Sequence, residues 1–123
     1  MRHMLTAALV IFASCPADAA TWSFAGHGTD GRVVFIDTAV TRTTNGRVRA
    51  WVKTDFSKVK TTRAREGKEL YEYDCSARTA AVISWIDYAP DGSILGSDTD
   101  PYPAHKPVVP ESVGEILIGL ACT

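Results

Sequence analysis

The chain has 123 residues, a formal net charge of −1 and 46% hydrophobic residues, the length and apolar content of one domain with its own core. Its composition excludes a disordered or collagen-like chain. The near-neutral balance gives no global reason to expect nucleic acid or an anionic membrane as partner.

Residues 1–19 read as a secretion signal. Arg2 supplies a short positive region, Met4 to Ala13 is mostly apolar, and "ADA" at Ala17 to Ala19 offers the small residues a signal peptidase needs. The run is too short to span a bilayer as a mature helix. The domain is therefore expected over residues 20–123 of an exported protein, in an oxidising compartment. Cys15, in "FASC", resembles the lipid-attachment box of bacterial lipoproteins and is a candidate lipidation site, although Phe12 stands where Leu is usual. The plainer expectation is that Cys15 leaves with the signal. A membrane partner is expected only if Cys15 is lipidated.

"TWSFAGH" is the first expected strand, and "GHGTDG", Gly26 to Gly31, then fits the glycine fingerprint of dinucleotide-binding proteins. That fingerprint has to open a helix, so that the pyrophosphate meets a helix N-terminus. Here the β-prone "RVVFID", Arg32 to Asp37, follows, and no acidic residue stands about twenty positions on. The glycines are read as hairpin-turn residues. "TDGRVV", "TNGRVR" and "PDGSIL" each place Asp-Gly or Asn-Gly before a β-prone run, the signature of antiparallel hairpins.

The third strand is "GRVRAWVKTDF", Gly46 to Phe56. Alternation puts Val48, Ala50 and Val52 on one face and Arg49, Trp51 and Lys53 on the other. Next comes "SKVKTTRAREGK", Ser57 to Lys68, read as a basic loop with Lys58, Lys60, Arg63, Arg65 and Lys68 against one Glu66. Such a loop suits sulfated glycans, acidic protein or phosphate; its bland reading is a solvated hairpin loop. The fourth strand, "KELYEYDCSA", puts Tyr71, Tyr73 and Cys75 on one face and Glu72 and Asp74 on the other, where cross-strand pairing with Arg49 or Lys53 is expected. "TAAVISWIDYA" is apolar on both faces and so reads as a central fifth strand. "GSILGSD" is a short sixth.

A Pro- and Asp-rich crossover, "SDTDPYPAHKPVVP", leads to "PESVGEILIGLAC". There Val113, Ile116, Leu117, Leu120 and Ala121 form one helical stripe. "SVGE" reads as a capping box, with Ser112 as N-cap and Glu115 reaching back to it. Gly114 and Gly119 lower the intrinsic propensity, so this helix needs a sheet to lie on.

Removal of the signal leaves Cys75 and Cys122 of the three cysteines. In an exported chain that arithmetic suggests one disulfide, closing a loop of roughly 47 residues for a stabilisation of about 4 kcal/mol at most. Free thiols or a metal site are the alternatives. No metal site is expected, because there is no CxxC and His27 and His105 are isolated. Both histidines are expected in solvated loops. "SDTDP" lacks the spacing and glycine of a Ca²⁺ loop. No catalytic constellation is found, so the chain is read as a non-enzyme without cofactor. Trp51 among charged residues, together with the basic loop, is the candidate binding surface. The stretch Asp87 to Asp100 has no Lys or Arg, so acidic and basic loops on one molecule would suit a homodimer.

Taken in order, Trp22, "VVFID", "GRVRAWV", "ELYEYDCSAR" and the closing "PVVPESVGEILIGLAC" resemble the surface-adhesin protein E family of Gram-negative bacteria. The resemblance covers nearly all of residues 20–123. It implies an α+β fold: a single antiparallel sheet of about six strands, with a C-terminal helix packed on one face and linked to it by a Cys75–Cys122 disulfide. It also implies a place in the periplasm or at the cell surface and outer membrane. The function it implies is non-enzymatic binding of host matrix or plasma proteins such as laminin and vitronectin. The alternative is a periplasmic envelope protein, or an inhibitor, with a bacterial or host-enzyme protein partner. The weak lipid box departs from the family's lipoprotein member, and no binding epitope can be matched residue by residue.

Overall fold

A computed structural model describes residues 20–123. The signal segment 1–19 and the lipidation candidate Cys15 lie outside the described residues. Eight strands precede one helix: β1 Trp22–His27, β2 Val33–Asp37, β3 Thr41–Arg42, β4 Val48–Asp55, β5 Glu66–Asp74, β6 Thr79–Tyr88, β7 Ile94–Thr99, β8 Lys106–Pro107 and α1 Val113–Ala121.

The strands form one antiparallel sheet in the order β1-β2-β4-β5-β6-β7. These are the six strands the sequence predicts. The two additions, β3 on β4 and β8 on β6, are two residues long, too short to show an alternating pattern. Gly31, Gly46 and Gly92, the second residues of the three turn signals, have φ of 96°, 80° and 85°. Those values are open to glycine and strained for most other residues.

β4 carries the clearest alternation. Val48, Ala50, Val52 and Thr54 are buried on one face, while Arg49 and Trp51 are exposed on the other. α1 lies on the buried face, chiefly over β1, β2 and β4, and packs Leu117, Ile118 and Ala121 against Ala25, Val34, Ile36, Val48 and Tyr73. Burying one such aliphatic side chain contributes about 1.5–3 kcal/mol, which offsets the poor helix propensity of Gly114 and Gly119.

The buried stripe is rotated from the expected one. Ile118 is 1% exposed and Ile116 is 48% exposed. Periodicity cannot choose between them, because both are apolar. The choice is made at Cys122, which lies one turn beyond Ile118 and is bonded to Cys75 just after β5. Holding Cys122 to the sheet turns Ile118 inward and Ile116 outward. Ser112 is the N-cap and accepts from the Glu115 N–H at 3.3 Å. The Glu115 carboxylate departs from the expected box: it accepts from the Glu111 N–H at 3.0 Å, one residue before the cap.

Candidate binding surface

The helix covers one face of the sheet; on the other, the crossover lies against the Glu72 end and the part around Trp51 stays open. Cross-strand register decides what this open face displays. Phe35 stands opposite Lys53, Trp51 opposite Leu70, Lys53 opposite Lys68, and Arg49 opposite Glu72. Lys68 in turn pairs with Ile86, and Glu66 with Tyr88. Side chains directly opposite share a face, so β2, β4, β5 and β6 together build one surface of aromatic rings and ammonium groups.

Two like charges stand opposite each other at Lys53 and Lys68, and both are accommodated by rings. The Lys53 Nζ lies 4.6 Å from the Trp22 ring centroid and 5.2 Å from that of Phe35. The Lys68 Nζ lies 5.6 Å from the Tyr88 ring. A cation over a ring face is held by the ring quadrupole, so each ammonium is engaged by different rings. Beside Lys68 opens a cavity of about 520 Å³ lined by Trp22, Trp51, Lys68, Ser84, Ile86 and Tyr88, with Asp98 among its other residues. Trp51 is 40% exposed there.

Arg49 behaves differently. Its guanidinium is 3.0 Å from Glu72, which also accepts from Arg47 at 2.9 Å and from His105 Nε2 at 2.9 Å. Burial works to raise the Glu72 carboxyl, but the hydrogen bonds from His105, Arg47 and Arg49 outweigh it and hold the pKa below its ordinary value. The expected partnership of Glu72 with Arg49 is present. Asp74 instead reaches Arg47, at 4.0 Å, and Lys53 pairs with rings rather than carboxylates.

His105 is not in a solvated loop, as the sequence suggested. It is partly buried between Glu72 and the Thr79 hydroxyl, 3.0 Å from its Nδ1, and it pins the crossover next to β8. Its isolation in sequence concealed this, since the partners stand 33 and 26 residues away. His27, at the end of β1, is exposed and stacks on Phe24.

Of the predicted basic loop, Lys58, Lys60, Arg63 and Arg65 are exposed. None has an ion-pair partner among the described residues. The loop is nonetheless anchored. Val59 and Ala64 are buried, the Phe56 N–H donates to the Arg65 carbonyl at 2.8 Å, and the Arg65 N–H donates to the Tyr88 carbonyl at 2.8 Å. Lys68 is the exception to the loop reading. It lies inside β5, because pairing of that strand begins at Glu66. Arg65 and Lys53 line a common hollow with Phe35 and Tyr88, so this loop cation adjoins the open face.

The sequence pattern did not place Trp22, Ile86 or Tyr88 beside Trp51. The only available signal was register: β6 is apolar on both faces, so its alternation cannot say which residues join Trp51.

Cys75 and Cys122 form the disulfide, with Cα atoms 5.9 Å apart, inside the span a bridge requires. The fold and this surface define a small sheet domain, fastened by one disulfide to its terminal helix, with an open aromatic and cationic face. A family model described as surface-adhesin protein E matches residues 22–123, and the chain belongs to that family. Comparison with curated proteins and with solved structures returned no match. Among the described residues, no helix is long and apolar enough to cross a membrane, and no group of three or more metal-ligating side chains is gathered.

Proposed function

We propose that the protein is an exported adhesin-type binding protein whose open sheet face and adjoining basic loop grip an acidic host protein of the laminin or vitronectin kind. Family membership supports a surface adhesin-like binding role. The observation that carries the surface assignment is the uncovered face itself. Trp51, Trp22, Tyr88 and Lys68 line a cavity, Lys53 lies over the Trp22 ring, and Arg65 of the loop shares an adjoining hollow with Lys53 and Tyr88. Exposed aromatics between cations are typical anchors of a protein interface. Loop cations add long-range attraction for an acidic partner, which salt weakens.

The test is binding of the purified protein to immobilised laminin and vitronectin over a range of salt. Under this proposal Trp51→Ala speeds dissociation, whereas Lys58→Gln with Lys60→Gln and Arg63→Gln slows association and flattens the salt dependence. Retrieval of a bacterial envelope protein or a host hydrolase, with no affinity for matrix protein, would favour an envelope subunit or inhibitor instead.

A further inference from the structure

The outward turn of Ile116 has a counterpart on β1. Ile116 is 48% exposed, Phe24 is 59% exposed, and both line one recess of about 490 Å³ between the strand and the helix. His27 and Val113 add to its walls, and Phe24 and His27 stack with centroids 6.4 Å apart. The charged residues of the lining are Glu111 and Glu115; among the described residues no lysine or arginine joins them. The recess shares no lining residue with the Trp51 cavity.

The recess lies along an unpaired sheet edge. Among the described strands β1 pairs with β2 alone. The Thr38 N–H donates to the Thr21 carbonyl at 3.0 Å. Inward bonding alternates along an antiparallel pair, so Ser23 also bonds towards β2, while Trp22 and Phe24 turn their backbone N–H and C=O to the free edge. No described residue bonds to these groups from the outer side. The register shift between Phe24 and Gly26 ends the regular stretch and sends Ala25 into the core, where it is 4% exposed. An added strand is thereby limited to the length of Trp22 to Phe24. β1 carries neither Lys nor Pro, the residues that commonly guard an edge against pairing.

We propose that this edge docks a short, basic, extended segment of a partner protein. Its backbone pairs with Trp22 and Phe24, one apolar side chain seats between Phe24 and Ile116, and a lysine or arginine meets the carboxylates at the rim. In strand addition the main-chain bonds supply affinity and the side-chain sites supply selection. Here selection is by charge: the lining holds two carboxylates and no lysine or arginine among the described residues. Glu115 already accepts from the Glu111 N–H. Glu111 is exposed and forms no ion pair among the described residues, which makes it the freer acceptor.

The test is titration of the isotope-labelled protein with a short capped peptide of alternating valine and lysine, followed by amide chemical shifts and amide exchange. Saturable shifts are expected at β1 and the start of α1. At saturation the Phe24 amide should exchange at least about tenfold more slowly, because its N–H has gained a bonded partner. A peptide with glutamate in place of lysine, and the lysine peptide with its backbone amides N-methylated, should both bind more weakly. Ile116→Ala should weaken the lysine peptide about fivefold, the scale of partly burying one aliphatic side chain. Glu111→Gln should weaken it about two- to threefold, the scale of one exposed ion pair. The proposal is overturned by the absence of a saturable shift, by shifts confined to the Trp51 face or to β7, by a glutamate peptide that binds as well, by unchanged affinity in Ile116→Ala, or by unchanged exchange of the Phe24 amide at saturation. Protection of that amide that grows with protein concentration in the absence of peptide would also overturn it, because a second copy of the chain would then hold the edge.

Discussion

The Arg49 guanidinium lies 3.0 Å from the Glu72 carboxylate on the neighbouring strand, so Arg49 is ion-paired within the sheet, whereas Lys53 on the same face lies over aromatic rings. Alternation placed Arg49, Trp51 and Lys53 on one face as equals. Cross-strand register separates them: Arg49 is neutralised by Glu72, Lys53 sits over Trp22 and Phe35, and Trp51 opens onto the cavity.

Glu72 joins β4, β5 and the crossover through Arg49, Arg47 and His105. The arginine side chains are 36% and 46% exposed, which screens their share. Glu72→Ala should cost about 1–2 kcal/mol, read from urea unfolding. Because the folded pKa of Glu72 is depressed, its stabilisation is complete above the ordinary value of 4.5 and disappears as pH falls through the lower folded value. The stability gap between the wild type and Glu72→Gln should therefore narrow below that pH. A gap constant with pH would show that the carboxylate is not held by these partners.

Glu69 should behave in the opposite sense. Burial raises its pKa above 4.5, so the folded state resists ionisation there. Wild-type stability should fall as pH rises from that value through the raised one, and Glu69→Gln should remove this part of the slope. A mutant less stable than wild type at neutral pH, with the slope unchanged, would contradict the effect.

Cys75→Ser should lose about 2–4 kcal/mol and lower the melting temperature by roughly 10–20 °C. Loss should concentrate at α1, whose amides should exchange faster than those of β4. Loss of orientation at Cys122 should also expose Ile118, a change visible as added binding of an apolar dye. An unchanged melting temperature would show that core packing alone holds the helix.

Ser112→Ala removes the side-chain acceptor for the Glu115 N–H and should cost about 1 kcal/mol. Glu115→Ala should cost less, since its carboxylate serves Glu111 before the cap rather than the cap itself. Equal losses in the two variants would indicate a conventional reciprocal box.

The fold was legible where a local rule fixed it. Asp30-Gly31, Asn45-Gly46 and Asp91-Gly92 set the hairpins, and the strict alternation of β4 set the two faces. The helix was legible from its apolar stripe, but its rotation was not: Ile116 and Ile118 are equivalent to periodicity, and the Cys75–Cys122 bridge decides between them. Trp51 was visible as an aromatic among charges. Its neighbours Trp22, Ile86 and Tyr88 were not, since they come from strands far apart in the chain. His105 escaped for the same reason: its meeting with Glu72 and Thr79 depends on the path of the crossover.

The most direct measurement is the affinity of full-length protein for immobilised laminin and vitronectin, comparing wild type, Trp51→Ala and the loop variant Lys58→Gln/Lys60→Gln/Arg63→Gln. The loop variant should keep the wild-type melting temperature, since its side chains are exposed, whereas Trp51 is only 40% exposed, so Trp51→Ala is compared at a temperature where it is fully folded. A loss of at least tenfold in Trp51→Ala, the scale of an interface anchor, together with a weakened salt dependence in the loop variant, is the expected result. Wild-type affinity in both variants would contradict the assignment of the open face and its loop as the binding surface.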